Sequence, residues 1–127
     1  MEIHNPTFFV VFGFVLLLSC NSNSLKQADA ENTIRKFLAN NSIETSKENV
    51  SPQTIKKIGK TNIYSQFNTS VRAYFTNKKG NEFIILFIFT RTPDNKWFLR
   101  SIEAETDVSQ ELKGWIKARK NLNVAVN

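Results

Sequence analysis

Residues 82–91 read Glu82-Phe83-Ile84-Ile85-Leu86-Phe87-Ile88-Phe89-Thr90-Arg91, and the reading of this run decides the fold. Seven consecutive apolar residues, all but Leu86 β-branched or aromatic, favour a strand. A membrane-spanning helix needs about twenty such residues, so the run is too short to cross as one. Apolar side chains at both parities suit a central strand that is covered on two sides, or one with a side kept for a partner. Phe83, Ile85, Phe87 and Phe89 share one side by alternation and are the candidate partner contacts.

Turn signals bound this strand. Asn77-Lys78-Lys79-Gly80-Asn81 precedes it and Thr92-Pro93-Asp94-Asn95 follows it, both rich in turn-forming residues. Residues 63–76 alternate, with Val71, Ala73 and Phe75 on one side and Arg72 and Tyr74 on the other, which predicts a strand. Residues 96–103 predict another, with Trp97 and Leu99 facing opposite to Phe98 and Ile102. Three strands joined by short turns form an antiparallel meander.

Helical signals flank the strands. Across residues 27–40, Ala30, Ile34, Phe37 and Leu38 recur at helical spacing, with acidic Asp29 and Glu31 near the start. Residues 43–50 are polar and aperiodic and read as a loop. Ser51-Pro52 opens a short second helix, with Ile55 and Ile58 facing inward and Gly59 able to end it. Asp107 and Gln110 have capping-box spacing for a last helix that aligns Val108, Leu112, Trp115, Ile116 and Arg119, despite Gly114 in its interior. Residues 121–127 are expected to fray. The expected architecture is α+β: an N-terminal helix, a short second helix, a three-stranded antiparallel meander and a C-terminal helix, in one domain over residues 27–120.

Ile34-Arg35-Lys36-Phe37-Leu38 in the first helix and Lys96-Trp97-Phe98-Leu99-Arg100-Ser101-Ile102 in the closing strand carry a family resemblance. This part resembles the small cystatin-like and nuclear-transport-factor-two-like domains common in bacterial lipoproteins, where a leading helix lies across a curved sheet. The resemblance covers about eighty residues and implies either catalysis in a cone-shaped pocket or plain binding and assembly, since one fold hosts many functions.

The N-terminus supplies an address. Residues 8–18 are an uncharged apolar run of signal-peptide length, ending in Leu17-Leu18-Ser19-Cys20 and giving way to Asn21-Ser22-Asn23-Ser24. No Lys or Arg precedes the run; residues 1–7 offer only Glu2, His4 and the terminal amine. Leu17, Ser19 and Cys20 resemble the lipobox of bacterial lipoproteins, in which a peptidase cuts before the cysteine and the thiol carries a diacylglycerol. The resemblance implies a signal peptide over residues 1–19 and lipidated Cys20 opening a polar tether over 20–26. It also implies a bacterial envelope location with the bilayer as a partner. An ordinary signal peptide or an uncleaved anchor, with Cys20 incidental, is the alternative.

Cleavage there leaves all 17 basic residues against ten acidic ones, a formal charge near +7, with no histidine and a single, acylated cysteine. Internal disulfides, Cys/His zinc sites, Ser-His-Asp triads and Cys-His pairs are then excluded. The remaining glycines, Gly59, Gly80 and Gly114, are isolated, so no glycine-rich phosphate loop exists. No cofactor or metal is expected. An enzyme would have to rely on carboxylates, Lys or Tyr.

Three further groups stand out. Glu103, Glu105 and Asp107 alternate where the last strand ends, either around a cation or acid–base pair, or as a solvated strand end running into a helix cap. Lys56, Lys57 and Lys60, the pair Lys78 and Lys79, and Lys113, Lys117, Arg119 and Lys120 form basic clusters, either for anionic headgroups or as dispersed solubilising charge. Tyr64, Tyr74, Trp97 and Trp115 either line a pocket or belong to the core, the role expected of the two tryptophans. Nucleic acid is not an expected partner, because no exposed aromatics interleave with the cations.

The expected function is that of a membrane-anchored, non-enzymatic binding or assembly module with an envelope protein as partner. The alternatives are a small pocket enzyme of the nuclear-transport-factor-two-like type and an electrostatic binder of anionic lipid or polymer. Mass spectrometry of the chain recovered from bacterial membranes is expected to find residues 1–19 removed and Cys20 carrying acyl chains. A bare Cys20 thiol is the contrary result.

Overall fold

The computed structural model describes residues 24–127, so the expected signal peptide and Cys20 lie outside the described residues. The class is α+β: two helices and an antiparallel sheet with more strands than the sequence suggests. Helix α1 spans Gln27–Asn40 and is followed by the short pair β1 (Ile43–Glu44) and β2 (Asn49–Val50). Strands β3 (Lys57–Ile58), β4 (Asn62–Ile63), β5 (Asn68–Thr76), β6 (Glu82–Arg91) and β7 (Trp97–Ala104) come next. Helix α2 (Gln110–Lys117) and strand β8 (Val124–Ala125) complete the order.

The expected trio of strands is corrected to a sheet of six, ordered β3-β5-β6-β7-β8 with β4 also paired to β5. The turn over residues 77–81 sets Thr76 opposite Glu82, so Phe75 meets Phe83 and Ala73 meets Ile85. Gly80 adopts a left-handed φ of 88° in this turn, a conformation that glycine enters without steric cost. The register between β6 and β7 shifts between Ile88 and Phe89, leaving Arg100 as the extra residue of a bulge. That bulge corrects the expected parity of the last strand: Leu99 and Ile102 are both fully buried on one face.

Strand parity and helix periodicity converge on one core. Val71, Ala73 and Phe75 from β5, Phe83, Ile85, Phe87 and Phe89 from β6, and Leu99 and Ile102 from β7 are buried together with Ala30, Ile34, Phe37 and Leu38 of α1. Phe37 of α1 meets Phe87 edge-on at 6.3 Å, and Phe75 stacks on Phe83 at 5.2 Å. Val108, Leu112 and Ile116 bring α2 into the same cluster. Burial of each large apolar side chain contributes about 1.5–3 kcal/mol, so this one face dominates the stability of the domain.

Four more expectations are corrected. The second helix is only a 3₁₀ turn at Pro52–Thr54, capped by Ser51. Residues beyond it pair with β5 instead, through Lys56 N–H to the Tyr74 carbonyl at 2.7 Å and Gly59 N–H to the Arg72 carbonyl at 2.8 Å. A single turn gains too few helical bonds to offset nucleation, whereas a free sheet edge satisfies the same groups at once. The polar stretch expected as a loop forms the β1–β2 pair. Ser109, not Asp107, caps α2, its hydroxyl accepting from Leu112 N–H. The tail expected to fray adds β8 to β7, with Val124 opposite Leu99 and Ala125 opposite Phe98.

Phe87→Ala is expected to lower the unfolding free energy by about 3–5 kcal/mol, as for buried aromatic truncations. Leu86→Ala, one residue along on the opposite face, is expected to cost less than half as much. Denaturant titration of the two variants checks the assignment of faces.

Candidate functional site

Phe83, Ile85, Phe87 and Phe89 are 0–1% exposed, which corrects their expected role as a partner surface. Phe87 meets Phe37 of α1, and all four belong to the buried cluster. The side of the sheet facing away from the buried cluster carries the other parity: Ile84, Leu86 and Ile88 of β6 form a half-exposed apolar row. Their neighbours in register are Tyr74, Arg72 and Ser70 on β5, and Ser101 and Glu103 on β7 opposite Ile88 and Leu86.

Charge frames that row. Arg72 grips Glu105 through two bonds, Nε to Oε1 at 2.6 Å and Nη2 to Oε2 at 2.8 Å. The guanidinium hydrogen bonds, outweighing the effect of burial and helped by Coulomb attraction, hold the Glu105 carboxyl below the usual range. Lys57 Nζ lies 4.7 Å over the Tyr74 ring, and Arg100 lies 5.6 Å over Phe98 while donating to Asn123 Oδ1 at 3.0 Å. An apolar stripe bordered by fixed cations and a carboxylate can hold another surface by area and charge. It offers no activated nucleophile and no proton acceptor in a cavity.

The other sequence candidates disperse. Glu105 pairs with Arg72 and Asp107 lies 3.6 Å from Lys113, while Glu103 sits exposed beside Leu86. Among the described residues, no three potential ligands gather as a metal site. Lys56, Lys57 and Lys60 lie on and beside β3, whereas Lys117, Arg119 and Lys120 lie at the end of α2. Arg119 stacks 4.3 Å over Trp115 and donates to its carbonyl, and Lys78 bonds Glu44 and the Thr45 carbonyl. Tyr64 is 56% exposed, and Tyr74 lies on the open sheet face rather than in a cavity. Trp97 and Trp115 are half-buried against the core.

The buried carboxylate Glu48 was not legible in the sequence. Only 2% exposed, it accepts from Thr45 Oγ1 at 2.5 Å, Ser109 Oγ at 2.6 Å and Ser109 N–H at 2.8 Å. Burial alone would push its carboxyl up. The hydroxyls of Ser109 and Thr45, the Ser109 amide and nearby Lys47 together outweigh burial and hold it below the usual carboxylate range. With both oxygens occupied at the start of α2, Glu48 fastens the β1–β2 connection to that helix and complements its dipole.

Comparison with protein-family models, with curated proteins and with solved structures finds no match to this chain. Function must therefore be argued from geometry and from the residues themselves.

Glu48→Gln is expected to lower stability at neutral pH by about 1.5–3 kcal/mol, since hydrogen bonds to a charged partner are lost. Because the folded carboxyl lies below its unfolded value near 4.3, the ionised form's contribution is complete above that value and disappears as pH falls through the lowered one. Chemical denaturation from pH 7 downward should show wild type and variant converging in acid.

Proposed function

We propose that this protein is a bacterial lipoprotein whose domain acts as a non-enzymatic binding or assembly module at the cell envelope. One observation carries the reading: Leu17-Leu18-Ser19-Cys20 closes an apolar run five residues before Leu25, the first buried residue of the domain. Acyl chains on Cys20 would hold the fold at a bilayer stably, because several chains together bury many methylenes at about 0.8 kcal/mol each. Among the described residues no helix is long and apolar enough to cross a membrane.

The partner surface in this proposal is the helix-free sheet face, centred on Ile84, Leu86 and Ile88. Two features support it over strand addition to a free sheet edge. The lateral strands β3, β4 and β8 are two residues long each, too short to template a stable added strand. The apolar row, by contrast, is continuous and framed by Arg72, Glu105, Lys57 and Arg100. An envelope protein with a complementary apolar strip fits that surface best.

A leading helix laid across an antiparallel sheet supports the cystatin-like form of the family resemblance. Ala30, Ile34 and Leu38 are fully buried in the one hydrophobic cluster, a packed layer that favours plain binding over the pocket catalysis that the resemblance also implies. Neither Tyr64 nor Tyr74 has a buried carboxylate beside it among the described residues.

A photo-crosslinking residue at position 86 is expected to trap one discrete protein in intact cells, and one at position 87 to trap none. Cys20→Ala should release the chain from membranes and abolish that crosslink. Membrane retention of Cys20→Ala, or equal crosslinking at both positions, would contradict the anchor or the face respectively.

A further inference from the structure

Ile63, Tyr64 and Phe67 are the large apolar side chains left exposed among the described residues, at 62%, 56% and 40%. They are not scattered. Ile63 ends β4 and Tyr64 and Phe67 lie on the connection from it to β5, and single exposed apolar residues need no explanation where a cluster does. The connection is tightly held: Tyr64 and Ser65 N–H donate to the Asn68 carbonyl, and Asn68 Nδ2 donates to Ser65 Oγ at 3.0 Å. Arg91 braces it from β6, its N–H donating to the Phe67 carbonyl at 2.7 Å and its guanidinium lying 5.1 Å over the Phe67 ring. A fixed tip of this composition does not collapse onto the domain to hide its side chains.

The path of the chain says what covers this tip. Leu25 is buried, and Ser24 just before it lines a shallow hollow together with Ile63, Gln66, Arg91 and Trp97. Cys20 is four residues further back. Four residues span at most about 14 Å when fully extended, so an acylated Cys20 would keep Ser24 within that distance of the headgroups, with Ile63 across the hollow from it. The same end of the domain carries exposed Lys26 before α1 and Lys60 in the β3–β4 connection, which Gln27 ties to α1 through the Gly59 carbonyl and Thr61 N–H. These cations suit the anionic surface of a bacterial bilayer.

The geometry points to the tip as a second membrane contact: Ile63, Tyr64 and Phe67 enter the headgroup region of the bilayer that holds Cys20, orienting the domain on it. This rests on the anchoring proposed above and adds a defined pose. Tyr64 is suited to the interface, with an apolar ring and a polar hydroxyl that can remain at headgroup level. Insertion of about 5–10 Å, the depth reached by interfacial segments, is enough to cover all three side chains. The turn over residues 77–81 then points away from the membrane, because the nine residues of β5 place it about 30 Å from the tip.

The test uses the full-length chain, matured in a bacterium and reconstituted into vesicles of phosphatidylethanolamine and phosphatidylglycerol. Acylation consumes the only native thiol, so Ile63→Cys, Tyr64→Cys and Lys79→Cys each accept a single maleimide-linked environment-sensitive fluorophore. All three positions are exposed, so the fold tolerates the label. Blue-shifted emission at 63 and 64, with quenching by nitroxide-bearing lipid at least about twofold stronger than at 79, is the expected result for an interfacial segment. One label per chain, retention on vesicles, and a fluorophore at 63 and 64 as water-exposed as at 79 would overturn the pose while leaving the anchor intact. Two labels per chain with no retention would instead show a free Cys20, removing the anchor reading and the pose together.

Discussion

The burial of one face of β6 against α1 is the constraint on which the remaining architecture depends. Phe83, Ile85, Phe87 and Phe89 need a partner layer, and Ile34, Phe37 and Leu38 supply it. Once that face is fixed, antiparallel pairing dictates which residues of β5 and β7 join the core. A side-chain period of two also forces Ile84, Leu86 and Ile88 to the opposite side. The helix-free face is thus the necessary counterpart of the core. Its apolar row is more apolar than solvation requires, which is why it attracts a functional reading.

Polar contacts refine this frame. Glu48 joins the β1–β2 connection to the start of α2, so two segments with little apolar surface are held by charge-assisted bonds where burial is insufficient. Gln27 does the same at the other end, bridging the first turn of α1 to both sides of Lys60. The two ends of the domain are thereby distinguished. One carries the buried carboxylate and the 77–81 turn; the other gathers Ser24, the 63–67 tip and the turn after β6. In the anchored reading proposed above, the chain leaves for Cys20 from the second end, with a step of four residues from Cys20 to Ser24 in which the domain could reorient.

Much of the fold was legible in local patterns. The helical spacing of Ala30, Ile34, Phe37 and Leu38 located α1, and the alternation around Val71, Ala73 and Phe75 located β5 with its core side. The core side of β6 was also within reach. A five-residue turn pairing Thr76 with Glu82 places Phe83 opposite Phe75, which shares the apolar side of β5 with Val71 and Ala73. Composition alone could not show it, since both parities of residues 83–89 are apolar. The short strands β1, β2, β3, β4 and β8 escaped notice because two residues carry no periodicity, and each exists through the neighbour it pairs with.

The sequence by itself determined the α+β class and the placement of its one histidine and one cysteine at positions 4 and 20, and it supplied the residues on which the anchoring proposal rests. All of these rest on residue identity or on short-range spacing. Only the tertiary structure decided that the carboxylates after β7 disperse and that Glu48 is buried. It also decided that residues 63–67 lie beside the start of the domain. Those are relations between segments distant along the chain, set by register, by one bulge at Arg100 and by the packing of α1, none of which leaves a local signature.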